Sequence, residues 1–109
     1  MRKTIKNYKD FNFGENAPSV ASKFFVVKAR PTITTGDARY GIAAPKKSFK
    51  LAVQRNRAKR LLREWIRKSE NLMSKNTDYI FIARLGILNA TLADGAKATE
   101  EALNKISAL

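Results

Sequence analysis

Cationic side chains are concentrated in residues 46–68, and several of them recur there at helical spacing. This segment holds ten of the chain's 22 Lys and Arg residues but only one acid, Glu64. Arg60, Arg63 and Arg67 follow one another at i, i+3 and i+7, which places them on one side of a helix. Like charges at this spacing repel one another. Such a face is therefore suited to binding an external polyanion.

The same segment is apolar on the other side of the predicted helix. Ser48 is the expected N-cap, and the helix should begin at about Phe49 and end in the low seventies. At about 100° per residue, one arc is apolar and consists of Leu51, Ala58, Leu61, Leu62, Trp65 and Ile66. The opposite arc is polar and consists of Asn56, Arg57, Lys59, Arg60, Arg63 and Arg67. The pattern predicts a helix that packs on a core through one side and presents cations on the other.

Arginine is the main cation within this helix, which favours nucleic acid as the polyanion. A guanidinium group binds phosphate oxygens through two parallel hydrogen bonds and also stacks on bases. The helix lies between two predicted strands. It lacks the second helix, the zinc ligands or the heptad extension that common DNA-binding motifs have. RNA, for which shape and backbone dominate recognition, is therefore favoured over DNA. A membrane-surface helix, a helix for a peptide-binding partner and a merely solvated face are the alternatives.

The overall composition supports a nucleic-acid partner and excludes several kinds of chemistry. The formal net charge at pH 7 is +13, and the chain contains neither Cys nor His. Disulfides, Cys/His zinc sites and catalysis by imidazole or thiolate are therefore excluded. Glu64, Glu70 and Asp78 are too scattered in sequence to predict a two-metal nuclease site. No catalytic or metal-ligating residue is predicted, and the protein alone is not expected to cleave RNA.

The sequence gives no indication of a membrane protein or a secreted one. It contains no run of about 18 apolar residues, so no membrane-spanning helix is expected. The first residues, MRKTIKNYKDF, are basic but lack the apolar stretch of a secretion signal. The cytoplasm is therefore the expected location.

The chain is expected to form a single domain over residues 1–109. Alternating and β-branched residues predict three strands, at residues 23–30, 39–44 and 77–84. A basic arm, a short helix or turn around Tyr8, Phe11 and Phe13, and a short extended piece at residues 19–22 precede them. A last helix is predicted over residues 91–109, and its buried stripe consists of Leu92, Ala96, Thr99, Leu103 and Ile106. The order β-β-α-β-α indicates an α+β fold of two layers, with helices packed against a small mixed sheet.

Residues 55–64, RNRAKRLLRE, resemble the RNR signature of the bacterial ribonuclease P protein family. Ala52-Val53 lies directly upstream of this signature, as in the family. Residues 39–44, followed by Lys46 and Lys47, resemble the strand and lysine pair that precede it. Further matches in the same order are Asp10-Phe11, Ser19-Val20-Ala21, Phe25-Val26 and residues 78–84. The resemblance therefore covers most of the chain.

The resemblance implies a two-layer α/β sandwich with a βαβ crossover of left-handed sense around the basic helix. It also implies the accessory subunit of a ribonucleoprotein endoribonuclease, in which a large RNA removes the 5′ leader of precursor tRNA. The Mg²⁺ ions of that reaction would be held by the RNA, and the protein would hold no cofactor of its own. The expected partners are ribonuclease P RNA and precursor tRNA, without DNA and without a membrane.

The family's roles transfer to the matching positions of this sequence. The positions expected to contact the catalytic RNA are Lys46, Lys47, Arg55, Asn56, Arg57, Lys59, Arg60 and Arg63, and Arg67 continues the same face. Phe11 and Phe25 match aromatic residues of the cleft that receives the single-stranded leader, where stacking suits any base. Lys28 stands where the family tends to place an aromatic residue, so a contact to a leader phosphate is expected there instead.

Some of these assignments have alternatives, and the chain departs from the family pattern in places. Phe11 and Phe25 are equally consistent with core aromatics. Arg55 lies toward the apolar arc and is also suited to holding the start of the helix. Residues 48–51 contain one residue more than the family pattern, and Phe13-Gly14 comes too early for the second aromatic of the N-terminal helix. A generic RNA-binding module of the ribosomal type is the alternative function, and a self-sufficient nuclease is the third.

Overall fold

The computed structural model describes residues 3–5, 17–31 and 39–108, in which strands and helices form two layers. The strands are β1 (Lys3–Thr4), β2 (Ser19–Ala21), β3 (Phe25–Pro31), β4 (Arg39–Ala43) and β5 (Thr77–Ala83). The helices are α1 (Ala52–Lys68) and α2 (Leu92–Ser107), and short 3₁₀ helices span Glu70–Leu72 and Leu85–Asn89. The predicted α+β class is confirmed.

The five strands form one mixed sheet in the order β1-β4-β5-β3-β2. The central strand β5 runs parallel to β4 and antiparallel to β3. Because α1 connects the two parallel strands, β4, α1 and β5 form the expected βαβ crossover. β1 pairs in parallel with the other edge of β4. The sequence pattern missed β1, since a strand of two residues shows no alternation.

Alternation along the central strands decides which face of the sheet meets the helices. In β3, Phe25, Val27 and Ala29 are buried, whereas the residues between them are partly exposed. Val27 pairs with Phe81 of β5, which is also fully buried. Paired positions share a face of the sheet. The core therefore lies between this face and the buried sides of α1 and α2.

The start of α1 differs from the prediction. Its N-cap is Leu51 and not Ser48, and no side chain caps its first turn. The amides of Ser48 and Phe49 instead donate to the Pro45 carbonyl at 3.1 and 2.9 Å, which closes a turn. Phe49 is fully buried, and its burial anchors the segment that leads to the helix. Leu51 consequently lies outside the helix and is exposed, so its assignment to the apolar arc was wrong.

The buried side of α2 also differs from the prediction at its beginning. The Thr91 hydroxyl accepts a hydrogen bond from the Asp94 amide at 3.1 Å and caps the helix. The buried residues are Gly95, Thr99, Ala102, Leu103 and Ile106. Leu92 is half exposed, so its place on the buried stripe was wrong.

Gly95 allows α2 to approach α1 closely. It is buried against the indole ring of Trp65, and a Cβ atom at this position would overlap Cε2 and Cζ2 of that ring. Glycine is unfavourable in a helix by about 1 kcal/mol relative to alanine. Here the missing side chain makes room for the largest aromatic ring of the core.

Gly95→Ala is therefore expected to lower the free energy of unfolding, by about 1–3 kcal/mol as at other overpacked core positions. The sign is informative, because at an open helical position the same substitution would raise stability. Urea unfolding followed by circular dichroism measures the change. The penalty should shrink in a Trp65→Phe background, where the ring is smaller. A Gly95→Ala variant more stable than the parent would contradict the close contact.

Candidate nucleic-acid interface

α1 presents most of its cations on the side that points away from the core. The buried residues of the helix are Ala58, Leu62, Trp65 and Ile66. The exposed residues on the opposite side, which we call the cationic face, are Asn56, Arg57, Arg60, Arg63 and Arg67. Lys59 lies at the edge and is partly buried. The predicted division of the helix into an apolar and a cationic arc is confirmed.

Trp65 fixes the rotation of α1 about its own axis. Its ring is fully buried, and its centroid lies 5.9 Å from that of Phe24 and 6.5 Å from that of Phe25. Gly95 of α2 lies against another side of the same ring. Truncating a buried aromatic side chain of this size typically costs about 3–5 kcal/mol. A rotation of α1 that exposed the ring is therefore strongly disfavoured, and the cationic face stays outward.

Phe25 belongs to this core and not to a leader-binding surface. Its ring is fully buried and contacts Trp65 as well as Phe81, with a centroid distance of 5.6 Å to the latter. No face of the ring is open to a nucleobase. The predicted leader contact of Phe25 is therefore wrong, and the core alternative is confirmed. Phe11 lies outside the described residues.

Arg55 holds the beginning of α1. Its Nη1 donates to the Phe49 carbonyl at 2.8 Å and to the Lys50 carbonyl at 3.2 Å. These bonds fasten the helix to the segment before it, where the N-cap residue Leu51 offers no side-chain acceptor. Of the two roles considered for Arg55, the structural one is confirmed.

The predicted lysine pair lies in the turn that leads into α1. Lys46 and Lys47 are exposed, as is Lys50 three positions further on. The sequence contains no acid between residues 44 and 63. The unsatisfied amides of a helix N-terminus add a positive partial charge of their own. The positive surface of the cationic face therefore extends past the start of the helix.

Arg67 differs from the other arginines of the cationic face because it has a carboxylate partner. Its Nη2 donates to both carboxylate oxygens of Glu64, at 2.7 and 2.6 Å. These hydrogen bonds and the positive charge of Arg67 lower the pKa of the Glu64 carboxyl, with a smaller contribution from Lys68. Arg57, Arg60 and Arg63 form no ion pair with any residue that the structure describes. They are the arginines of the cationic face that are most available to an outside anion.

The face of the sheet opposite the helices carries a second charged group. Lys28 and Arg30 alternate with the buried residues of β3 and therefore point to this face. Arg30 and Arg39 approach Oδ2 of the fully buried Asp78, with Nη2–Oδ2 distances of 3.6 and 3.5 Å. The Arg39 amide donates to Oδ1 at 2.8 Å. Asp78 thus bridges two arginines across three strands and offsets part of their positive charge, a role that no sequence spacing revealed.

Lys28 is partly exposed on this same sheet face. Its position is compatible with the expected contact to a leader phosphate, which stays a prediction.

Across the described ranges 3–5, 17–31 and 39–108, no group of three or more acidic, His or Cys side chains could hold a metal ion. Within the same ranges no helix is long and apolar enough to cross a membrane.

Comparison with known proteins matches this chain to one family over nearly its whole length. The ribonuclease P family model matches residues 2–107. The ribonuclease P protein component of Lactobacillus delbrueckii subsp. bulgaricus is 37% identical over 87 residues, which cover 77% of this chain and 72% of the relative. The ribonuclease P protein component of Vibrio parahaemolyticus is 40% identical over 73 residues, or 67% of this chain and 60% of the relative.

Solved structures give the same result at the level of the fold. The RNase P protein of Staphylococcus aureus superposes with a TM-score of 0.78 at 29% identity, covering 96% of this chain and 95% of that one. The RNase P protein of Thermotoga maritima superposes with a TM-score of 0.71 at 27% identity, covering 99% and 98%.

The fold and the cationic face define a small basic α+β protein with a surface suited to a polyanion. The chain belongs to the ribonuclease P protein family. It is a protein subunit of the ribonuclease P endoribonuclease.

The carboxyl of Glu64 should titrate below the ordinary pKa of a glutamate in the folded protein. A carboxyl with a lowered pKa in the folded state contributes stability above its unfolded pKa, and that contribution disappears as the pH falls through the folded value. Arg67→Gln should raise the pKa of Glu64, because it removes the hydrogen bonds and the nearby charge.

Carboxyl-detected NMR across an acid titration measures this pKa. Arg60→Gln is the matched control, since it removes one charge from the same face without touching the Glu64 hydrogen bonds, and it should move the pKa less. An identical titration of Glu64 in the parent and in Arg67→Gln would contradict the pairing.

Proposed function

We propose that the chain binds the catalytic RNA of ribonuclease P through the cationic face of α1 and the lysine turn before it. In this role it assists removal of the 5′ leader from precursor tRNA in the cytoplasm. One observation carries the proposal. The apolar side of α1, which includes Trp65, is buried in the core, and the exposed side carries three arginines, Arg57, Arg60 and Arg63, with no acid partner among the described residues.

The contribution of the protein is electrostatic. The precursor and the catalytic RNA are both polyanions, so they repel each other as they associate. A chain of net charge +13 placed between them reduces that repulsion. The Mg²⁺ ions that activate water and stabilise the transition state are assigned to the RNA, because the chain has neither Cys nor His and its described part holds no metal-ligand cluster. The protein should therefore lower the Mg²⁺ concentration that the holoenzyme requires.

The residues of the interface have different tasks in this proposal. Arg57, Arg60 and Arg63 bind phosphates directly, because guanidinium groups match phosphate oxygens in pairs. Arg67 is shared with Glu64 and contributes less. Arg55 keeps the helix start in place and acts on RNA affinity only through the fold. Lys46 and Lys47 extend the contact beyond the N-terminus of the helix.

A leader contact at Lys28 would use a different surface from the catalytic RNA. Lys28 lies on the face of the sheet opposite α1, so one protein can meet two RNA segments at once. Mature tRNA has no leader and cannot make this contact. Binding energy obtained only with the precursor favours substrate over product.

The direct test is cleavage of a precursor tRNA by a bacterial ribonuclease P RNA at limiting Mg²⁺, with and without this protein. Correct 5′ cleavage should be restored only when RNA and protein are both present, and the protein alone should cleave nothing. RNA binding without any effect on cleavage would instead indicate a general RNA-binding module. Cleavage by the protein alone would indicate a nuclease.

The double variant Arg60→Ala/Arg63→Ala should lose affinity for ribonuclease P RNA by about tenfold or more at physiological salt. The slope of log affinity against log salt should fall by about 1.5, as expected for two lost phosphate contacts. Filter binding or fluorescence anisotropy at several salt concentrations measures both quantities.

Lys97→Ala/Lys105→Ala is the matched control, because it removes the same charge from exposed positions of α2. It should change affinity much less. Equal losses in the two double variants would show that only net charge matters and would contradict a specific role for α1. Circular dichroism should show both variants folded.

A further inference from the structure

One exposed apolar side chain lies within the positive surface of α1. Val53, the second residue of the helix, is 71% exposed. This is the largest exposed fraction among the large hydrophobic residues that the structure describes. Leu51, the N-cap residue, is also more than half exposed. Single exposed apolar residues are common on protein surfaces, so the position of Val53 matters more than its exposure.

Val53 lies in the middle of the cationic face. At about 100° per residue, Asn56, Arg57, Arg60 and Arg67 all fall within about 60° of it on the helix circumference. Arg57 and Arg60 are its i+4 and i+7 neighbours, and neither has an ion-pair partner among the described residues. A phosphate held between these two arginines would therefore lie on the same side of the helix as Val53, about 8 Å from it along the axis.

Neither helix stability nor electrostatics favours valine at this position. Valine has a lower helix propensity than Lys, Arg or Ala, because its branched side chain loses χ1 freedom. It neither relieves the repulsion between the arginines nor adds to the positive charge. It also contributes nothing to the core at this exposure. What an exposed valine does offer is an apolar surface for a partner.

The partner must carry an apolar surface close to its phosphate groups. RNA does so wherever a base is unpaired, because the face of that base is then open, whereas the bases of a duplex are stacked on one another. We propose that Val53 packs against an unpaired nucleobase of the RNA bound on the cationic face, while Arg57 and Arg60 hold the adjacent phosphates. This inference rests on the proposed function and assigns α1 a preference for non-duplex RNA.

The test is Val53→Thr, which keeps the shape of the side chain and exchanges one methyl group for a hydroxyl. Two probes are used, a bacterial ribonuclease P RNA and a blunt, fully paired RNA duplex. Affinity for the ribonuclease P RNA should fall by about fourfold, as expected for one methyl group no longer buried. The salt slope should stay unchanged, because no charge is altered. Affinity for the duplex should also stay unchanged.

Leu92→Thr is the matched control, since Leu92 is a half-exposed apolar residue at the first position of α2. It should leave affinity for both probes unchanged. Equal affinities of parent and Val53→Thr for ribonuclease P RNA would overturn the proposal, as would equal losses on the two probes. A change in the self-association of the RNA-free protein on Val53→Thr, measured by sedimentation, would overturn it in favour of contact between copies.

The proposed function fails by a separate result. If Arg60→Ala/Arg63→Ala retains the parent's affinity for ribonuclease P RNA, the cationic face itself is not the binding surface. If that double variant loses affinity but Val53→Thr does not, only the nucleobase contact is wrong.

Discussion

The packing of Trp65 between the sheet and α2 determines which side of α1 faces outward. The ring is fully buried against Phe24 and Phe25 of the sheet layer, and Gly95 gives it room on the side of α2. A helix with an apolar and a cationic side is useful only if its rotation is fixed. Trp65 fixes that rotation, because the loss of a buried aromatic side chain costs far more than any exposed ion pair contributes. The outward direction of the arginines is therefore a consequence of core packing.

The arrangement of charges is unfavourable in the isolated protein and favourable with a polyanion. Arg57, Arg60 and Arg63 repel one another across successive turns, and only Glu64 reduces the positive charge locally, through Arg67. Elsewhere in the molecule the cations are balanced differently. On the opposite face of the sheet, two arginines converge on a single buried carboxylate. The sequence thus places partly compensated arginines on the sheet and uncompensated ones on α1.

The two arcs of α1 could be predicted from the sequence, because the helical period is visible through its whole length. The start of the helix could not. Ser48 has suitable capping chemistry, but the burial of Phe49 closes a turn there and delays the helix. For Phe25 the sequence left the core and the leader cleft equally open, and the burial of its ring against Trp65 and Phe81 decides for the core. From the sequence alone, Gly95 only lowers the helix propensity of α2. Its close contact with Trp65 could not be predicted, because the periodicity of one helix does not show how closely a second helix packs against it.

Neutralisation of RNA phosphates by α1 should be visible in the salt dependence of binding to ribonuclease P RNA. Equilibrium affinity would be measured at several potassium chloride concentrations with Mg²⁺ held constant. If α1 neutralises phosphates, log affinity should fall linearly with log salt, with a slope of about −3 or steeper, because each neutralised phosphate contributes about 0.7–0.9. A flat dependence between low and physiological ionic strength would contradict it, and the cationic face would then need another explanation.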